Sequence, residues 1–220
     1  MVKVRMDVDQ HCHNLRSFYL GGVPRGENSM AMETLISRVK GILLEPRATW
    51  KEIDAEFTKP GEIWGKYVIP LATIGPIASV IGLFIFGQRI AFTSLTSSVS
   101  LTTAISRGVA GYVLALLSVF VLSRVISLLA PGFGGQRNDV QGLKAAAYAS
   151  TAAWLGGIFM LIPALYLVSW IFRLYSLVLL YVGLPIVMKV PKDRAMGYTA
   201  VVIIIFIVVS LIAEAILTAF

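Results

Sequence analysis

Cysteine is almost missing from this chain. Cys12 is the only one in 220 residues, so no intrachain disulfide can form and the redox compartment is left open. Charged residues are scarce at 14%, and histidine is limited to His11 and His13. Reaction chemistry needs positioned acids, bases, nucleophiles or metal ligands. No nucleophile with a base at a recognisable spacing, no spaced ligand set and no glycine-rich phosphate loop occurs. These gaps argue against an enzyme and against a bound cofactor. His11, Cys12 and His13 are adjacent ligand types, but structural zinc takes four ligands and no distant partner accompanies them, so no metal site is assigned.

Apolar residues, in contrast, make up 57% of the chain, with a mean hydropathy of +0.79. A water-soluble domain of this length is not built that way, so the class is membrane protein. The formal net charge is +7, and the basic residues crowd the stretches between apolar segments. Anionic lipid headgroups, rather than nucleic acid, are the partner that this distribution implies.

Five apolar segments lie near 67–87, 108–129, 145–162, 166–188 and 198–220. Each is about long enough to cross roughly 30 Å of hydrocarbon at about 1.5 Å per residue. The expected fold is an all-α membrane protein, a five-span helical bundle preceded by amphipathic cytoplasmic helices. The third segment is the shortest. Pro163 marks its turn into the fourth, and Pro185 ends or bends the fourth. Pro70 and Pro76 predict a kink in the first, where freed carbonyls need new partners. Gly75, Ser79 and Gly82 give that span a small-residue face. Ala145, Ala149, Ala153 and Gly157 recur every four residues and predict a second such face. In lipid, helices associate through close packing over small residues, so both faces are read as helix contacts, with a permeation lining as the alternative.

Ahead of the spans, residues 1–29 have neither periodicity nor an apolar run of signal-peptide length. They read as a disordered tail, or as residues upstream of a true start at Met30 or Met32. Residues 30–66 form the cytoplasmic helical region and 67–220 the membrane domain. Leu35, Ile36, Val39, Ile42 and Leu43 follow helical spacing from Met32 to Leu44. Pro46 suits the first turn of a second helix, with Trp50, Ile53 and Phe57 on one side and Arg47, Lys51, Glu52 and Glu56 solvated. A position at headgroup level and docking on the bundle both explain this pattern.

Basic residues in the connections set the orientation. With the N-terminus inside, Arg47, Lys51, Lys59, Lys66, Arg137, Lys144, Lys189, Lys192 and Arg194 flank the inner face, against Arg89 and Arg107 outside. The N-terminus is therefore expected in the cytosol and the C-terminus outside. The outer loop from Gln88 to Ser106 is rich in Ser and Thr. Charges within spans are costly, about 2.5 to 3.5 kcal/mol at the centre, so Arg124, Arg173 and Glu214 are candidate sites. Arg124 can snorkel. Arg173 and Glu214 lie toward one side of their spans and are candidates for an ion pair.

The run AAAYASTAAWLGG, the hairpin after it, YVGLP, a charged loop with Pro191 and then GYTAVVIIIFIVV resemble the bacterial branch of the Yip family. These are small five-span membrane proteins whose eukaryotic members are named for interaction with Ypt/Rab GTPases. The resemblance covers roughly Leu35 to Phe220 and includes Gly183, Pro185, Gly197 and Tyr198 as landmarks. Glu62, Ile63, Trp64 and Gly65 echo the first four positions of the family's Asp-Leu-Tyr-Gly-Pro element, and Lys66 departs from its proline. Tyr148 matches the tyrosine of a Gly-Tyr element, while Ala152 and Ala153 occupy the region of its proline. The resemblance implies a non-enzymatic membrane adaptor or organiser in a bacterial inner membrane, with another membrane protein or a second copy as partner and, given Lys66, no GTPase. The competing class is a small transporter or channel that uses the kinked first span with Arg173 and Glu214.

Overall fold

The computed structural model describes residues 27–89, 96–97 and 99–219; His11, Cys12 and His13 lie outside them. The chain forms two compact units, Met1–Ser37 and Arg38–Phe220. Helix α1 spans Glu27–Leu44, so Glu27 to Ser29 are helical. The second unit continues with α2 (Pro46–Ala55), which has proline at its first position as the sequence predicts.

Among the described residues, four helical stretches are long and apolar enough to cross a membrane: Pro60–Phe86, Leu101–Phe133, Tyr166–Val187 and Lys192–Leu217. The first, α3, is not uniform. It passes through a π turn at Trp64–Val68 just before Pro70 and is broken at Thr73, three residues before Pro76. Each proline lacks the N–H that an α-turn would use and crowds the carbonyl four residues earlier, so the helix changes register at both places. The Thr73 hydroxyl donates to the Pro70 carbonyl at 2.7 Å.

Helix α4 (Leu101–Leu129) starts seven residues before the expected position and runs into a 3-10 turn to Phe133. Its polar start is helical because Ser100 caps it, accepting from the Thr103 amide at 3.1 Å, and Ser106 bonds back to the Thr102 carbonyl at 2.9 Å. The connection before it is correspondingly shorter, with a two-residue antiparallel pairing of Gln88–Arg89 (β1) and Thr96–Ser97 (β2). The last helix, α8 (Lys192–Ala219), also starts earlier than 198. Pro191 accepts from the Arg194 and Ala195 amides, and Asp193 stands in the first turn, where a carboxylate is favourable.

The stretch read as a third span is divided into α5 (Asp139–Ala149), α6 (Thr151–Gly156) and a 3-10 segment, Gly157–Leu161. Ser150 at the first break donates its hydroxyl to the Ala146 carbonyl at 2.8 Å, a back-bond that bends helices. Ala145 and Ala149 therefore belong to one helix, Ala153 to the next and Gly157 to the 3-10 segment. α7 (Tyr166–Val187) has the expected limits and carries Pro185 inside its last turn.

The core of the second unit lies where α2 meets α5 and α7. Trp50 is fully buried, with Ile53 and Ile42 beside it. Its indole fills a slot over Gly183 of α7, where an added Cβ would lie 2.3 to 2.6 Å from ring atoms. Trp50 also meets Tyr148 edge to face, with centroids 6.3 Å apart. The amphipathic face of α2 is thus covered by protein, which selects docking over a headgroup-level position for the Trp50 and Ile53 side.

The Trp50 indole N–H has no hydrogen-bond acceptor among the described residues. Its contribution is therefore packing. Trp50→Ala should destabilise the purified protein in detergent by about 3 kcal/mol or more, whereas Trp50→Phe, which loses no hydrogen bond, should cost less than half as much. Gly183→Leu should act like Trp50→Ala. Thermal unfolding followed by size-exclusion chromatography distinguishes the three.

Candidate functional site

A helix leaves its last carbonyls without intrahelical donors. At the C-terminus of α2 they are met by the Lys144 ammonium from α5, which donates to the Ile53 carbonyl at 2.8 Å and the Glu56 carbonyl at 2.5 Å. Lys144 is only 2% exposed. The position favours a cation, since carbonyl dipoles converge at a helix C-terminus. Around it, Arg38 pairs with Glu56 and lies 3.6 Å from Glu52, Lys189 pairs with Asp54, and Gln141 Nε2 donates to the Asp54 carbonyl at 3.2 Å.

The end of α1 is held in the same manner. The Tyr175 hydroxyl of α7 donates to the Leu43 carbonyl at 2.7 Å. Tyr175 stands twelve residues before Val187, about 18 Å along the helix. The corner between α1 and α2 is thus tied to the side of α7. Leu44 at that corner is 78% exposed, and Phe57, just past α2, is 99% exposed.

Tyr148 lies between Trp50 and Tyr67, 4.5 Å from the Tyr67 ring, and the Tyr67 hydroxyl is 2.7 Å from that of Thr151. Tyr148 and Gly183, two of the landmark positions, thus converge on the same indole. Tyr198 is fully buried; its hydroxyl donates to the Ile126 carbonyl of α4 at 2.7 Å and its ring lies 5.4 Å from Phe133, beside Gly197. Of the GEIWG positions, Ile63 is buried, Trp64 half-buried and Gly65 exposed, while Glu62 lies 3.6 Å from Lys66.

The Yip1 domain model matches residues 40–213. This chain belongs to the Yip1 family. It is a multi-pass membrane protein of the Yip type. No curated protein and no solved structure gives a significant match.

Within this Yip1 domain the small residues meet at the divided third stretch. A Cβ on Gly157 would lie 2.6 Å from the Gly75 Cα, and one on Gly82 would lie 2.6 Å from the Met160 carbonyl oxygen. Ser79 is half-buried; Ala145 and Ala149 are buried. The amide of half-buried Ala153 donates to Ser176 Oγ at 2.8 Å.

The charged candidates divide into two pairs. Arg124 reaches Asp139 at 2.6 Å, and Ser127 donates to the other carboxylate oxygen at 2.6 Å. Arg173 lies 3.6 Å from Glu214 and 5.4 Å from the Trp170 ring centroid, joining α7 to α8. Among the described residues no group of three His, Cys, Asp or Glu converges as a metal site would require.

Sequence reasoning overlooked Lys144, Tyr67, Thr151, Tyr175 and Asp139. Lys144 counted only as an inner basic residue, although a lone lysine inside GLKAAAYA, between small residues, is itself a sign of burial. Lys144→Met should destabilise the protein by about 2 to 3 kcal/mol, because it removes two hydrogen bonds from a charged donor and leaves carbonyls unpaired. Hydrogen exchange should rise first in residues 46–56, ahead of the spans.

Proposed function

We propose that the chain is a non-enzymatic Yip-type membrane adaptor or organiser. It is threaded five times, with the α1–α2 region in the cytosol, the C-terminus outside, and a bacterial inner membrane as its location. The supporting observation is the docked α1–α2 hairpin: two short helices tied to the bundle through Trp50, Lys144 and Tyr175 present charged faces and an uncovered Phe57 to the cytosol. Rigid docking of that kind suits a platform that other proteins grip. The five-span count takes α5, α6 and the 3-10 segment together as one crossing. The inner excess of basic residues stands even without Lys144, which is buried. The small-residue contacts of Gly75, Gly82, Ala145, Ala149, Ala153 and Gly157 serve helix packing in this reading. The Arg173 and Glu214 pair, half-exposed beside Trp170, serves as an interfacial tie between α7 and α8 rather than as part of a transport route.

Two measurements test this. A tag following Phe220 should be labelled in cells before permeabilisation; labelling only afterwards would invert the topology. Crosslinking from native membranes should recover a discrete partner with the wild-type chain and several-fold less with Phe57→Ser, at equal thermal stability. Equal recovery with both chains would remove the exposed platform, and solute flux in proteoliposomes abolished by Arg173→Gln would replace it with transport.

A further inference from the structure

A cavity of about 330 Å³ opens between α2, α7 and α8, lined among others by Arg47, Lys51, Tyr181, Pro185, Lys192 and Met196. That volume falls in the range of small-ligand sites, whose usual lower bound is about 300 Å³. Arg47 and Lys51 are one turn apart on α2 and share a face. Lys192, the first residue of α8, is the third cation of the lining. None of these three cations is ion-paired with a described residue, and no carboxylate lines the cavity. The nearby acids are engaged elsewhere: Glu52 with Arg38, Asp54 with Lys189 and Asp193 with Arg194. Three unneutralised charges around one cavity call for an anion.

The rest of the lining is apolar and identifies the source of that anion. Val182, Pro185, Ile186, Ala195 and Met196 complete the wall with Tyr181. From Tyr181, the exposed residues Val178, Leu174 and Ile171 continue at helical spacing along α7, a stripe of about 15 Å. We infer that the cavity holds the phosphate headgroup of an anionic phospholipid, with an acyl chain lying along the Ile171 to Tyr181 stripe. Basic pockets between membrane helices on the cytoplasmic side are suited to such headgroups. The site rests on the reading above that this end of the bundle is the cytosolic one.

The test uses the full chain in nanodiscs of neutral phosphatidylcholine with a minor fraction of phosphatidylglycerol, and native mass spectrometry reads the lipid retained. The wild-type protein should keep one phosphatidylglycerol in preference to the neutral lipid. Arg47→Gln, Lys51→Gln and Lys192→Gln together should weaken retention by about tenfold or more, whereas Lys40→Gln, Lys59→Gln and Lys66→Gln, an equal loss of charge elsewhere, should change it less than about twofold. Ala195→Phe fills the cavity without altering charge and should also weaken retention about tenfold; it decides the matter alone if the triple variant does not fold. Equal weakening by the control triple would mean diffuse surface attraction and overturn the site. So would displacement of the lipid by millimolar inorganic phosphate, which would make it a free-anion site. Loss of the lipid result with the tag still labelled from outside removes this site and leaves the topology standing.

Discussion

The Lys144 ammonium ties the end of α2 to the bundle. Without Lys144, α2 is a ten-residue helix, too short to be stable alone, and the Ile53 and Glu56 carbonyls would lose the donor that meets them. With it, the carbonyls of Ile53 and Glu56 are satisfied from within the bundle, and the face bearing Trp50 is turned onto Gly183. Burying a lysine is costly unless its protons are engaged, and the orphan carbonyls of a helix end are the partners that make it tolerable. The lysine and the helix terminus each satisfy what burial would otherwise leave unpaired in the other.

The same logic repeats at each junction between the spans and the rest of the chain. Tyr175 holds the end of α1, Tyr198 reaches the Ile126 carbonyl where α4 nears its close, and Asp139 in the first turn of α5 takes both Arg124 and Ser127 from α4. Between apolar helices in lipid there is little hydrophobic drive to associate, so directional bonds and close packing decide the arrangement.

How legible this was in the sequence follows from the type of signal. Long apolar runs between basic connections are strong signals, and α7 has the limits that hydropathy assigned. Capping chemistry is weaker: Ser100 and Pro191 start α4 and α8 earlier than apolar content alone suggests, because polar first turns are helical without being hydrophobic. Trp50 was marked as one side of an amphipathic helix, but periodicity cannot tell a lipid-facing stripe from one that docks on protein. That choice was made by Gly183, 133 positions later, and by Lys144, whose small-residue surroundings signal burial but not which helix end it meets. Tyr148 was matched by resemblance, and its physical role as a partner of Trp50 became visible only once α5 and α2 were in contact.

The third apolar stretch shows why spacing alone misleads inside a membrane protein. Small residues at every fourth position fit one continuous helix face, yet here they are distributed over two helices and a 3-10 segment. An irregular backbone at membrane depth is tolerable only where protein shelters it. That shelter exists: Gly75 and Gly82 of α3 press on the backbone at Gly157 and Met160, and Phe172 of α7 lies against Gly156. A continuous helix would have carried its carbonyls along the axis and needed no such cover. The glycines of α3 therefore do more than thin a helix face; they let a backbone pass where a side chain would have blocked it, and in this family member the kink made by Pro70 and Pro76 places α3 where that passage occurs.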